Sequence, residues 1–571
     1  MSEQPFLPKF SDPRDIDEFV EKLESFERGE INAEQFRMFR LLRGVYGQRQ
    51  QDAQMFRIKI PMGLLGPEQL RVIADITEQH SRGFGHVTTR QNIQLHFMKM
   101  KDIESSMRAL DEVGITTREA CGNSVRNVTA CELAEVCSGA AFDVSPYAEA
   151  LVRHFLRHPL SASLPRKFKI AFSGCGTDCA YGAIHDLGFI AQVKDGQRGF
   201  KVYAAGGLST TPQAALTLHD FVPAAELGRV GEAIVRLFNA LGNRDNKHRA
   251  RMKYVLRKLG EEGFRAKYAE QRAAVDAEAM KELTLPDSPR NTPAPPVQNG
   301  QGPHPAGYLQ WRSGCALDQK QEGYAAVYAR LFLGDVTGAQ MRALADLITR
   351  FGDGTLRLTI DQNLLIPWVD KRSLPALYVA LREIGLARTD VHTARDVTSC
   401  PGAESCNLAV TSSRNVARAI SERLELPDVG TSKALADTTI KISGCPNSCG
   451  QHHVADIGWH GAAKTVNGVT YPMYQLHLGG GVDESGARFG RQVVKVIARR
   501  VPDAVAALLE LYDAEKTEGE TPAAFYQRVD PKRVVAALGD IAASSPEASE
   551  SHDIGQDSGF HVAIGAGECA A

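Results

Sequence analysis

An α+β architecture in which one unit is written twice is the fold class this sequence predicts, and three observations carry that reading. Four segments recur in the same order at offsets of 269 to 271 residues. LRVIADITEQHSRGFGHVTTRQNIQLHF (70–97) returns as MRALADLITRFGDGTLRLTIDQNLLIPW (341–368), RNVTAC (126–131) as RDVTSC (395–400), FSGCGTDC (172–179) as ISGCPNSC (442–449), and DLGF (186–189) as DIGW (456–459). Within each half, strand-like alternation and helix-like spacing follow one another. A stretch rich in Pro and Gly, 286–307, then separates the halves. The 571 residues are too many for one core, so several domains related by a pseudo-two-fold axis are expected.

In chain order, 55–63 and 86–97 alternate as strands, 68–80 between them has helical spacing, and 102–114 supplies a second helix. The segment 167–174 reads as a strand running into a Gly-bounded turn that carries cysteines. The boundaries that follow are an N-terminal extension (1–54), a small half-domain (55–115), a larger domain (116–285), the linker (286–307), a second half-domain (308–388), a second large domain (389–542) and a disordered tail (543–571). The tail is assigned from its Ser, Glu and Gly content.

Lys plus Arg (66) nearly balances Asp plus Glu (68), so no global field argues for nucleic acid or a membrane surface. No apolar stretch reaches the length of a membrane span, and the polar start does not read as a secretory signal. The expected location is cytoplasmic, where paired cysteines point to metal or redox chemistry rather than disulfides.

Eight of the 11 cysteines fall into two matching sets. Cys131, Cys137, Cys175 and Cys179 are spaced C-x5-C, 37 residues, C-x3-C; Cys400, Cys406, Cys445 and Cys449 are spaced C-x5-C, 38 residues, C-x3-C. Each set offers four thiolates from two turns, the ligand set of a cubane cluster or a tetrahedral zinc. Zinc sites more often use C-x2-C knuckles, so the wider spacing favours a cluster.

T-x-C-P-x5-C followed by S-G-C-P-N-S-C resembles the signature of the sirohaem-containing sulfite and nitrite reductases, and TTRQNIQ, GNSVRNVT and LPRKFKI resemble the same family in the same order. The resemblance runs from about residue 40 to about 515. It implies ferredoxin-like half-domains, each followed by a 4Fe-4S-type α/β domain, and one cluster on Cys400, Cys406, Cys445 and Cys449, with Cys449 also the axial thiolate of the sirohaem iron. It maps an anion-binding, catalytic set onto Arg90, Arg126, Lys167 and Lys169. Lys167 and Lys169 stand at i and i+2 of one strand and share a face. Two like charges on one face are costly unless an anion lies between them. The eight sirohaem carboxylates call for further cations, with Arg57 and Lys59 as first candidates and the basic run 243–253 as a second source. Tyr46 and Cys121 match positions that some relatives join by a thioether.

These residues imply a six-electron reductase with sirohaem and a 4Fe-4S cluster. Sulfite is the expected substrate, because relatives specialised for nitrite tend to carry a neutral amide where Lys169 stands. Nitrite reductase is the alternative, followed by the related oxygenase of cobalamin synthesis and by a non-catalytic iron–sulfur carrier or zinc scaffold. No nicotinamide or flavin motif is present, so electrons are expected from a ferredoxin or a flavoprotein subunit. Most single-chain relatives lack the first-half cysteines, and their retention here implies a second 4Fe-4S cluster or a second active site. The offset favours the cluster: Arg90 aligns with Asp361, Lys167 and Lys169 with Asp437 and Thr439, and only Arg126 keeps a basic counterpart, Arg395. Cys315 and Cys569 stand alone and receive no role.

Overall fold

A computed structural model describes residues 7–286, 293–297, 304–542, 545–565 and 568. Its framework is four five-stranded sheets and one two-stranded hairpin. Two sheets belong to the small half-domains and two to the larger ones, as the duplication predicts.

The first small sheet contains the strands Val45–Gly47, Gln54–Ile58, Phe84–Val87 and Ile93–Met98, and the second contains Ala316–Asp318, Tyr324–Ala329, Leu356–Leu358 and Leu364–Asp370. Each is completed by a strand from the other half. Asp335–Thr337 pairs antiparallel with Phe84–Val87, and Leu64–Leu65 pairs with Leu356–Leu358. Both exchanged strands follow a turn with two left-handed residues, Met62 and Gly63 in one half and Leu333 and Gly334 in the other. A Cβ on Gly63 would lie 2.6 Å from the Leu358 carbonyl and one on Gly334 2.9 Å from that of Val87, so close backbone approach holds both positions to glycine. The helices Pro67–His80 and Gly338–Phe351 pack together, and one apolar core joins Phe56, Ile93 and Leu95 to Val327, Leu365 and Ile366.

The sheet of each larger domain begins with two parallel strands: Val125–Ala130 beside Phe168–Ser173, and Thr398–Ser399 beside Ile440–Ser443. In both domains the first and third cysteines lie just past the carboxyl ends of these neighbouring strands. The local x5 turns also match. The Cys137 N–H donates to the Leu133 carbonyl at 2.9 Å and the Cys406 N–H to the Gly402 carbonyl at 3.0 Å.

Three sequence expectations change. The segment 86–97 is a hairpin rather than one strand: Thr88 Oγ1 accepts from the Asn92 N–H at 3.1 Å, and Gln91 is left-handed at φ 53°. Alternation reads straight through such a tight turn, and Arg90 sits at its tip. Residues 45–47, assigned to an extension, form the edge strand of the first sheet. The tail is anchored where it is described: Asp553 is buried and accepts from the Ser412 N–H at 2.6 Å, Phe560 is buried, and Glu550 pairs with Arg500 at 2.6 Å. Composition alone does not reveal anchors spaced so far apart. The linker expectation falls largely outside the described residues.

Two buried amides tie the halves together. Gln91 Oε1 accepts from the Ala130 N–H at 3.0 Å, while Nε2 donates to the Ala130 carbonyl at 2.8 Å and to that of Leu358 at 2.9 Å. Its repeat partner Gln362 accepts from the Ser399 N–H at 2.8 Å and donates to the Val87 carbonyl at 2.9 Å. Replacing Gln91 by Ala strands three buried backbone groups and should cost about 3 kcal/mol or more. Gln91→Gly should also be destabilised although it relieves the left-handed strain; denaturant unfolding of both variants, with wild-type midpoints as the contrary result, checks this.

Candidate functional site

Of the four thiols in the second half, Cys400 and Cys445 are buried, Cys406 is half-buried and Cys449 is exposed. Cys400 Sγ accepts from the Gly444 N–H at 3.2 Å. Burial pushes the Cys400 and Cys445 thiols up, and the charge of Cys449 pushes both further. Thiols this close cannot all ionise unless a cation sits among them, which is the donor set a metal cluster requires.

The first half supplies the other wall. Thr89 Oγ1 donates to the Cys449 carbonyl at 3.0 Å, bringing the Thr88–Asn92 turn against the second-half cysteine loop. Arg90 is half-buried there, with one guanidinium nitrogen 2.9 Å from Thr129 Oγ1 and 2.5 Å from His185 Nε2 and the other 3.0 Å from the Ile170 carbonyl. Burial weakens its hold on its proton, nearby Asp186 strengthens it, and Arg126 and Arg251 oppose. Lys169, on the strand Phe168–Ser173, lies well below the ordinary lysine range. The main cause is burial, reinforced by Arg251, Arg90 and Lys167 and opposed by Cys449. Arg126 donates to the Gly122 carbonyl at 2.9 Å and reaches Tyr46 Oη at 3.5 Å. The structure therefore gathers Arg90, Lys167 and Lys169 beside the exposed thiol Cys449, with Arg126 next to them.

Two cations in this cavity come from the basic run, which splits. Lys247, His248 and Arg249 are exposed, whereas Arg251 and Lys253 are buried. Arg251 pairs with the buried Asp186 at 2.8 Å. Lys253 Nζ donates at 2.6 Å to the carbonyls of both Leu208 and Thr211, and burial, with Arg251 and Arg257, pushes it down to about 7. His185, against Arg90, is a further site residue that the sequence reading missed. Its signal was weak: a lone His before the repeated Asp-Leu-Gly.

The Lys59 ammonium is buried and faces the buried Glu119 carboxylate at 4.0 Å. Burial pushes it down to about 8, and Glu119 opposes. Arg57 differs, with a nitrogen 3.5 Å from the Ala120 carbonyl and its guanidinium 5.7 Å from the Tyr46 ring centre, on the Arg126 side of the cavity. Tyr46 and Cys121 share a small buried cluster with Leu41, Met55 and Ala120.

The symmetry-related position is built differently. Asp361, where the other half has Arg90, accepts from Lys441 Nζ at 2.5 Å, and Lys441 lies 5.1 Å from the Tyr181 ring centre. Thr439 Oγ1 donates to Asp456 at 2.7 Å, Arg395 Nε donates to the Leu424 carbonyl at 3.0 Å, and Asp437 ends the short helix Ala434–Asp437. Buried Glu132 lies beside Cys179, and the Tyr328 hydroxyl lies 3.4 Å from its carboxylate. An anion would meet carboxylates there. The first-half thiols still converge, with Cys179 Sγ 2.8 Å from Cys131 Sγ.

The sequence matches the description "Nitrite and sulphite reductase 4Fe-4S domain" over residues 121–276 and 391–538, and "Nitrite/Sulfite reductase ferredoxin-like half domain" over 46–113 and 317–384. The chain belongs to the nitrite and sulphite reductase family. It is 29% identical over 546 residues to the sulfite reductase [ferredoxin] of Mycobacterium tuberculosis (strain ATCC 25618 / H37Rv), covering 90% of this chain and 92% of that one. It is 30% identical over 506 residues to the assimilatory ferredoxin-dependent nitrite reductase of Haloferax mediterranei, covering 84% and 83%. The solved structure of the Mycobacterium tuberculosis NirA protein superposes with a TM-score of 0.77 at 27% identity over 91% of this chain and 97% of that one. This reductase is an oxidoreductase with a sirohaem and a 4Fe-4S cluster. Among the described residues no helix is long and apolar enough to cross a membrane.

The Lys59–Glu119 pair gives a direct check on that wall of the site. Lys59→Met removes one of two cations near the buried Glu119 carboxylate, Arg118 remaining at 3.7 Å, and should cost about 1–3 kcal/mol. The double variant Lys59→Met/Glu119→Leu should recover most of that loss in denaturant unfolding; no recovery would remove the pairing as the reason for Lys59's burial.

Proposed function

We propose that this chain reduces sulfite to sulfide. The carrying observation is Lys169, a half-buried lysine held beside Arg90, Arg251 and Lys167 with Cys449 as the negative charge that opposes them. A cavity that crowds like charges in this way is stabilised by an anion, and three or four cations suit a dianion better than a monoanion. Conversion of sulfite to hydrosulfide takes up six electrons and seven protons and releases three waters. When bound, a cluster and a sirohaem would supply the electrons. Cys400, Cys406, Cys445 and Cys449 would hold the cluster, with Cys449 facing the tetrapyrrole.

The chain's own groups then divide the work. Arg90 and Arg126, fixed by backbone carbonyls and hydroxyls, orient the substrate oxygens. Lys167 and Lys169 neutralise the anion, and Lys169, with its lowered pKa, gives up protons as S–O bonds break. Arg57 would hold a cofactor carboxylate, and Arg251 and Lys253, already bonded to Asp186 and to the Leu208 and Thr211 carbonyls, would add positive field beside it. Nitrite is the second reading, favoured by the Haloferax relative. A ferredoxin donor is the partner that both relatives' names support.

The first-half thiols Cys131, Cys137, Cys175 and Cys179 are assigned in the same reading to a second cluster, with no haem beside it because Asp361, Glu132 and the Lys441–Tyr181 contact occupy that side. Iron analysis tests this. About nine irons and one sirohaem per chain support it; about five would leave the first-half set without a cluster.

Turnover with an artificial one-electron donor tests the substrate. The wild-type enzyme should favour sulfite over nitrite in kcat/KM. Lys169→Ala should lose about 100-fold or more on sulfite with sirohaem content unchanged. A wild-type preference for nitrite, or an unaltered Lys169→Ala enzyme, would overturn the sulfite reading.

A further inference from the structure

Two residues past Cys449 the chain carries Gln451-His452-His453, and across the sheet the strand Val469–Leu478 carries His477. None of these histidines has a part in the chemistry above. His452, His453 and His477 are 0%, 4% and 1% exposed, and each offers a ring nitrogen within 4.8 Å of the other two. His460, on the neighbouring strand Ile457–Val466, stacks against the group, its ring centre 4.9 Å from that of His477.

His452, His453 and His477 each have one ring nitrogen within hydrogen-bond distance of a partner outside the trio. His453 Nε2 donates to the Ser209 carbonyl at 3.0 Å; a carbonyl only accepts, so the lone pair of His453 is on Nδ1. His452 Nδ1 lies 3.0 Å from Ser443 Oγ, which also accepts from the Gly450 N–H at 3.1 Å. His477 Nε2 lies 2.7 Å from His460 Nδ1. The remaining nitrogens, His452 Nε2 and His477 Nδ1, are buried and make no hydrogen bond of ordinary geometry, although the Gly490 backbone lies against the His477 ring. Orphaned buried ring nitrogens are costly and uncommon. Burial holds the three rings neutral, the form that ligates. An outer partner on one ring nitrogen and a bare lone pair on the other is how a metal-ligating histidine is oriented.

We propose that His452 Nε2, His453 Nδ1 and His477 Nδ1 bind one zinc ion, with Ser443, Ser209 and His460 as the outer groups that orient them. Three neutral imidazoles form a zinc ligand set that leaves a fourth position for water. The ion ties the segment after Cys449 to the strand Val469–Leu478 and, through Ser209, to the first half. It therefore clamps the loop that presents Cys449. No electron or group transfer is assigned to it.

The test is metal analysis of the holoenzyme, purified without a histidine tag, washed with chelator and reloaded with zinc. The expected result is about one zinc per chain beside unchanged iron and sirohaem. His453→Gln/His477→Gln should weaken zinc binding by at least about tenfold and keep its iron and sirohaem. A wild-type protein that retains no zinc after reloading, or a double variant that binds it equally well, overturns the site. Should the variant fail to fold, zinc-edge X-ray absorption of the wild-type protein decides. Nitrogen scatterers at about 2.0 Å support the histidines, and sulfur scatterers at about 2.3 Å place the zinc on cysteines and overturn the proposal.

Discussion

The reciprocal insertion of Gln91 and Gln362 is the constraint on which the rest of this molecule depends. Each amide leaves its own small half-domain and hydrogen-bonds the backbone immediately before the first cysteine of a large domain, Ala130 before Cys131 and Ser399 before Cys400. Each also reaches a backbone carbonyl of the opposite half, Leu358 or Val87. The exchanged strands Leu64–Leu65 and Asp335–Thr337 add backbone pairing across the same axis. A small domain cannot complete its sheet until both halves are present, and the amide that braces each cysteine turn is itself held by a carbonyl of the other half. Such mutual support among local choices is a property of foldable sequences.

Duplication makes two equivalent cavities, and charge makes them unequal. One side has Arg90, Lys167, Lys169, Arg251 and Lys253; the other has Asp361, Glu132 and a lysine already paired, Lys441. The exchange of Arg90 for Asp361 has the largest consequence, because both stand at the tip of the turn that faces the other half's cysteines. Lys441 then neutralises Asp361 and lies over Tyr181. The acidic side neutralises its Asp361 internally through Lys441, while on the basic side Arg251, Arg90 and Lys167 crowd Lys169.

Much of this was legible in the residues. The repeat announced the duplication, and the cysteine spacing announced two four-thiol sets, because adjacent parallel strands must bring their following turns together. That Arg90 and Lys169 lie close together was foreshadowed by local motifs. The hairpin at 88–92 was not, since a tight turn in phase with the strands leaves their alternation intact. The burial of Lys59 was not legible, because a strand pattern cannot say whether a long side chain meets solvent or the carboxylate of Glu119, sixty residues away. Arg251 and Lys253 were hidden in a run whose other cations are solvated. The backbone enters the helix Met252–Ala277 there, and that entry turns two of them inward.

The cysteines and the cations of the site come from opposite halves, and this bears on how cofactor and fold are related. Arg90 reaches the site only through the turn held by Gln91, and Cys449 only through the loop held against Thr89. Crowded cations on one wall and crowded thiols on the other are each unfavourable alone. Brought together without a cofactor, they still leave Lys169 short of counter-charge and the thiols Cys400 and Cys445 unable to ionise together. Ligands that bind only the folded chain stabilise it by mass action, and the gain is largest where the empty site is least satisfied. The same electrostatic frustration that recruits the cofactors then serves the substrate, because an anion entering the loaded site meets cations already desolvated and already aimed.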